Sequence, residues 1–223
     1  MGKSKELAEL GQVVSQSGGN VGIGADSPTE ALHIAKAFPA VKLDNIDAGG
    51  HSWRIASGST NSGFAGKLQI YNEDTSTIAA YIDASGRVTM PYQPAFHAYA
   101  DIYGTSQTGN VLFKSSAQNF TLENNAGGHF NTSTGRFTAP VNGRYMFTGS
   151  YSRSQDNGGV WMQVNSNALG MWNLSYGADW QTACMSRVVY MNANDYFEFY
   201  YGSVGPSFTC QGYKVMLSGY LLG

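Results

Sequence analysis

The sequence predicts an all-β chain in three consecutive parts: a short coiled-coil-like helix over residues 1–19, a run of very short strands over 20–91, and a ten-strand β-sandwich over 92–223. Three observations lead there. Charged residues make up only 13% of the chain and Gly supplies 28 of its 223 residues, about half and about twice the usual shares, as suits strands joined by many tight turns. Apolar residues recur at i and i+2, the spacing of one face of a strand, through most of the chain. Beyond Pro91 the strands lengthen and become aromatic, which places a domain boundary at Met90-Pro91-Tyr92-Gln93-Pro94.

The one helical stretch is 5–17, where Leu7, Leu10 and Val14 fall at heptad spacing, and Gly18-Gly19 ends it. One and a half heptads cannot hold a coiled coil alone, so the start reads as a piece of a longer chain. From Asn20 onward come the pairs Val21/Ile23, Leu32/Ile34, Val41/Leu43, Trp53/Ile55, Leu68/Ile70, Ala80/Ile82 and Val88/Met90, separated by clusters such as Asp47-Ala48-Gly49-Gly50 and Ala84-Ser85-Gly86. Strands this short offer two or three residues to one face, too little burial to offset the backbone ordering cost in a single copy. The expectation is that three copies wrap around a common axis, which closes a core and hides strand edges.

In the last part the expected strands are 95–101, 117–122, 128–131, 136–140, 143–153, 158–165, 168–174, 181–191, 195–203 and 212–222. Tyr145 and Phe147 point to one side of their strand, Arg144 and Thr148 to the other. The last strand, from Gly212 to Leu222, is almost wholly apolar, the pattern of a central strand covered on both faces.

Several functions are excluded or disfavoured at this level. A net charge of −2 with a pI near 6.0 provides no basic stripe for nucleic acid or an anionic membrane. No apolar run approaches the ~20 residues of a membrane-spanning helix. Cys184 and Cys210 are too few for a disulfide scaffold. His33, His51, His97 and His129 lie in separate segments without metal-ligand spacing, and His129 reads as a packing or hydrogen-bonding residue. Gly22-Ile23-Gly24 lacks the third glycine and the helix of a dinucleotide-binding turn, Gly2-Lys3-Ser4 lacks the strand of a phosphate loop, and no Gly-x-Ser-x-Gly elbow exists. Asp101, Glu123, Asp156, Asp179, Asp195 and Glu198 supply carboxylates, but no pair has a recognisable cleft as glycoside cleavage requires; Asp195 to Glu198 reads as a solvated turn running into a strand.

Some of these residues resemble a known family. Gly127-Gly128-His129-Phe130, Gly135-Arg136-Phe137-Thr138-Ala139-Pro140-Val141 and Gly143-Arg144-Tyr145-Met146-Phe147 are similar to the complement C1q globular head, with support from Pro94 to Tyr99, Val188 to Tyr196 and Ser218 to Leu222. The resemblance implies a homotrimeric ten-strand jelly roll like that of the tumour necrosis factors, with Phe130, Phe137, Gly143, Tyr145, Phe147 and Leu221 as its core and trimer motif. Some members of that family bind calcium near the trimer apex; in this chain Asp179 and Gln181 are the candidate donors, with other chains or water needed to complete the shell. The upstream part, with Lys3 to Leu10, Asn20-Val21-Gly22-Ile23-Gly24, Ser27-Pro28-Thr29-Glu30 and His51 to Ile55, resembles the shafts of bacteriophage tail fibres.

In such a jelly roll both termini lie at the shaft end, so alternate connections lie at the far end: 154–159, 173–181, 203–211 and part of 102–116. They carry Asp156, Asn157, Tyr176, Asp179, Trp180 and Phe208, exposed rings beside amides and carboxylates, the equipment for a sugar. Trp180 reads either as a sugar platform or as a core or trimer-contact residue. The resulting expectation is a non-enzymatic, homotrimeric tail-fibre tip on the virion that attaches to a bacterial surface glycan or outer-membrane protein, with no nucleic acid and no membrane insertion. A structural trimerisation cap and a polysaccharide depolymerase are the competing readings.

Overall fold

The structure, a computed structural model, describes residues 14–58, 64–100, 105–107, 120–153, 158–174, 181–203, 208–210 and 215–223. The chain divides into two compact units, Met1–Pro91 and Tyr92–Gly223. No helix occurs among the described residues.

The first unit opens with β1 (Val14–Ser17), β2 (Asn20–Ile23) and β3 (Leu32–Ile34). Here the helical expectation fails for residues 14–17: Val14 pairs with Ile23 and Ser17 with Asn20 in an antiparallel hairpin. Gly18 and Gly19 both take positive φ, 61° and 87°, which makes them the two-residue turn whose twist matches a hairpin. A terminal helical turn leaves its last carbonyls without partners, whereas the hairpin pairs this backbone. Residues 5–13 of the expected helix lie outside the described residues. β2 also pairs with β3, in parallel.

The rest of the unit is a five-stranded antiparallel meander of β4 (Ala40–Asp44), β5 (Ser52–Ser57), β6 (Leu68–Asn72), β7 (Thr77–Ile82) and β8 (Val88–Thr89). Each expected apolar pair contributes to a strand. Asn72 shapes the β6–β7 turn by accepting from the backbone of Asp74 and Thr75 at 3.0 and 3.1 Å. One face of the sheet is organised by Arg54, whose guanidinium lies over Phe38 and Tyr71 at 4.9 and 4.5 Å and meets Glu73 at 2.9 Å. Beside it Lys67 sits over Phe64 and Tyr81, and Ala56 and Gln69 are buried.

The second unit is a sandwich of two five-stranded sheets. The first orders β11 (Phe120–Ala126), β9 (Ala95–Ala100), β20 (Val215–Leu221), β14 (Gly143–Arg153) and β17 (Gln181–Met191); the second orders β12 (Phe130–Asn131), β13 (Arg136–Thr138), β18 (Tyr196–Ser203), β15 (Gly158–Val164) and β16 (Asn167–Leu174). A two-stranded ribbon, β10 (Thr105–Gln107) with β19 (Phe208–Cys210), completes it. Phe96, Phe130, Phe137, Tyr145, Phe147, Phe197 and Phe199 fill the space between the sheets. Phe147 and Phe197, from opposite sheets, stack with ring centroids 3.6 Å apart. Tyr145 is buried whole because its hydroxyl donates to the Val141 carbonyl at 2.8 Å, and burial pushes its pKa up.

β20 is central, and within one chain its inner face is covered, with Leu217 fully buried, while Met216 and Tyr220 stay exposed on the other. One expectation about this unit needs correction. Glu198 is not part of a solvated turn; it is 2% exposed, opposite Arg136 in the β13–β18 register, and accepts from Arg136 Nε at 2.8 Å. That guanidinium also lies 4.0 Å above the Tyr196 ring.

The close approach of the sheets needs glycine at position 219, where a Cβ would stand 2.5 Å from Phe96 and 2.6 Å from Phe147. Both rings are buried and cannot swing away, so Gly219→Ala is expected to lower stability by about 1–3 kcal/mol, the range for overpacking, measurable by chemical denaturation. A second test is acid. The Asp195 carboxyl is held below its usual range by the Asn165 amide, then by the Asn192 backbone N–H. A carboxylate depressed on folding contributes stability that is full above its unfolded value and lost as pH falls through the folded one. Asp195→Asn should therefore flatten the fall in melting temperature below about pH 4 relative to the parent chain.

Candidate functional site

The register of the second unit places its ends. Gln93 Nε2 donates to the Leu221 carbonyl at 2.9 Å, Leu221 N donates to Pro94 O at 3.0 Å, and Arg144 N to Gly223 O at 2.8 Å. Entry and exit of the chain therefore share one end of the sandwich. That end is sealed by short polar contacts: Asp195 accepts from Asn165 and Asn192, and Ala193 N donates to Asn142 Oδ1 at 2.7 Å. Asn194 takes φ 72° there, a left-handed conformation that Asn tolerates better than other side-chain-bearing residues.

At the other end β14 and β17 finish with Arg153 opposite Gln181. Gly158 of β15 stands opposite Leu174 of β16 and Ser203 of β18, and Ala100 of β9 opposite Val215 and Phe120. The connections that leave these strand ends therefore start together, on the side away from both termini. Asp156, Asn157, Tyr176, Asp179 and Trp180 belong to those connections and lie outside the described residues. Phe208 begins β19, where its backbone pairs with Gln107. Gln181 begins β17. The ribbon of β10 and β19 ties two of the connections to one another, an element too short and too irregular in polarity to be read from the sequence.

For a calcium ion the described residues do not suffice. Gln181 begins β17 with its side chain outside the described residues, as Asp179 is altogether, and no group of three His, Cys, Asp or Glu able to hold a metal occurs among the described residues. The remaining named residues, Phe130, Phe137, Tyr145 and Phe147, sit in the buried cluster, with Leu221 packed against it. Gly143 is buried where a Cβ would stand 2.7 Å from Leu221 Cδ1.

One constellation escaped the sequence reading. On the outer face of the first sheet His97 Nδ1 lies 2.6 Å from Ser218 Oγ, and its Nε2 lies 3.4 Å from Glu123 Oε2. Ser218 stands directly opposite His97 across β20 and β9, while Glu123 falls at the irregularity between Leu122 and Asn124 in β11. The order hydroxyl, imidazole, carboxylate has the look of an acyl-transfer relay. It lacks the second half of that chemistry: β9 and β20 are hydrogen-bonded on both sides, so their N–H groups are consumed in ladders and none is aimed at an oxyanion beside Ser218. The trio acts as a polar clasp across three strands.

The described carboxylates of this unit are all engaged: Glu123 with His97, Asp195 with Asn165 and Asn192, and Glu198 with Arg136. His51 pairs with Asp74 at 2.9 Å, and the His129 ring packs edge-on to Phe137.

The C1q domain profile matches residues 95–222. Among solved structures, the globular domain of zebrafish complement 1qA protein is 18% identical, covers 59% of this chain and 98% of its own, and has a TM-score of 0.45. GITRL from bushbaby is 11% identical over 58% of this chain and 95% of its own, with a TM-score of 0.39. Eiger TNF from S. frugiperda is 12% identical over 59% and 93%, with a TM-score of 0.38. No curated protein matches the chain. With a two-sheet sandwich in place and a profile match over more than half its length, the chain belongs to the C1q domain family.

Proposed function

We propose that this chain is the distal part of a homotrimeric bacteriophage tail fibre, whose C1q-like head attaches to a receptor on the bacterial surface without catalysing a reaction. The observation that carries the assembly half of this reading is the bare outer face of the head's first sheet. Val188, Tyr190, Met216 and Tyr220 are each 41–57% exposed, on edge strand β17 and central strand β20, where a lone sandwich would place polar residues. Three copies packed by that face bury it and bring three sets of far-end connections side by side.

Attachment is the second half. Trp180, Tyr176, Asp156 and Asn157 combine rings with amides and a carboxylate, a composition that suits a bacterial glycan, and threefold presentation turns a weak single-site affinity into firm attachment. The engaged state of Glu123, Asp195 and Glu198 favours binding over cleavage of such a glycan. The virion context rests on the fibre-like segments upstream, notably Asn20-Val21-Gly22-Ile23-Gly24.

Light scattering on the full chain is expected to give about three times the 23.9 kDa chain mass; a compact 24 kDa particle would overturn the reading. Trp180→Ala and Tyr176→Ala together should abolish binding to host cells, with the trimer retained. Host binding unchanged by both substitutions would move recognition away from this end, and a trimer of the parent chain that never binds host cells would leave the head as a structural cap.

A further inference from the structure

The meander β4–β8 sorts its side chains by charge. Opposite residues of an antiparallel pair share a face, so the register fixes the two sets. Val41 faces Ile55, Ile55 faces Ile70, and Leu68 faces Ile82; Leu43 belongs to the same side through Trp53. The charged residues of these five strands, Lys42, Asp44 and Arg54, alternate onto the other side. That charged side is the one the chain covers for itself, with Arg54 and Lys67 laid over aromatic rings. The neutral side stays open: Val41, Leu43, Ile55, Leu68, Ile70 and Ile82 are each 39–56% exposed.

Two further features mark this side. A groove of about 210 Å³ is lined by Ile34, Pro39, Val41, Ile55 and Leu68 among others. At the opposite end of β4, in the connection to β5, Ile46 is 94% exposed. From Val41 to Ile46 the chain advances roughly 15 Å at strand rise, so the projecting isoleucine cannot reach the groove of its own sheet. Another copy can supply what each lacks.

We infer that the uncharged face of β4–β8 is a self-association surface, on which a second copy of this chain seats its own aliphatic face and places its Ile46 in the groove of Ile34, Val41, Ile55 and Leu68. The occupant follows from the chemistry. Six half-exposed aliphatics form a patch of roughly 500 Å², in the upper part of the range for the largest patch on a lone soluble protein. With the partly buried Trp53 and Ala80 it stays short of the ~800 Å² per partner of a standard interface, so the uncharged chemistry of the face, more than its area, selects the occupant. A surface without one charge offers no pairing for a charged partner, whereas an identical neutral face leaves no charge buried unpaired. The inference rests on the reading that copies of this chain assemble, and adds a surface separate from that of the head.

The test uses the full chain with Cys184→Ser and Cys210→Ser. Ile46→Cys combined with Leu68→Cys is expected to give covalent dimers and higher species on a denaturing gel after mild oxidation. Ile46→Cys combined with Lys42→Cys, which lies on the charged face, is expected to give none. A second variant, Ile46→Ser, changes only an exposed connection: a monomeric unit would keep its melting temperature, whereas the inference expects it lowered by several degrees. Equal cross-linking of the two pairs, or no cross-linking with an unchanged melting temperature, overturns the inference. A particle of three chain masses without cross-links removes this surface and leaves the head's assembly standing; a monomeric mass removes both.

Discussion

The head is built around the contact between two sheets at Phe147 and Phe197. Their rings lie 3.6 Å apart and nearly parallel, so β14 and β18 must approach as closely as flat rings permit. Everything near that contact is adjusted to it. Gly219 on β20 gives up its side chain to make room for Phe96 and Phe147, and Gly149 on β14 does the same for Phe199. Phe96 then stacks on Phe130 and Phe137 at 4.6 and 5.2 Å, which carries the packing across to β12 and β13. A core of rings at fixed separations is dense and intolerant of added volume, and this rigidity makes the two ends of the sandwich suited to different work.

At the end that holds both termini, the strands are closed by Asp195, Asn165, Asn192 and Asn142 through side-chain and backbone hydrogen bonds. Those contacts commit the loop residues to structure. At the other end the strands stop at Arg153, Gly158, Leu174, Gln181 and Ser203 with their register intact, so the connections between them can vary in sequence without disturbing the core. A rigid scaffold of this kind is the sort on which the proposed binding residues could be presented.

Much of this was legible in the sequence, and the exceptions have physical causes. β14 and β17 occupy the expected residues 143–153 and 181–191, because long alternating strands bounded by Asn and Gly carry a clear period. Val14–Ser17 was misread, because Leu7, Leu10 and Val14 suggest a helix while the hairpin depends on two adjacent glycines taking positive φ. Glu198 was misread for another reason: its neighbours in sequence mark a turn, and its partner Arg136 is 62 residues away. The trio of His97, Ser218 and Glu123 was invisible, since it exists only once β20 is known to pair with β9. Local pattern gives strands; it does not give the register that brings distant polar groups together. The ribbon of β10 with β19 shows the same limit.

The faces left bare in the two units differ in a way that bears on assembly. Besides Trp53 the neutral face of β4–β8 carries only aliphatics among its large side chains, and apart from the seat proposed for Ile46 such a face is indifferent to small slips along the strands. The outer face of the head sheet is not indifferent: among Met216, Tyr220, Val188 and Tyr190 it holds the clasp of His97, Ser218 and Glu123. A polar group covered without its partners costs on the order of 1–3 kcal/mol, so any alignment that strips water from the clasp without matching it is penalised. In the proposed assembly the aliphatic face would supply contact area and the clasp would add register.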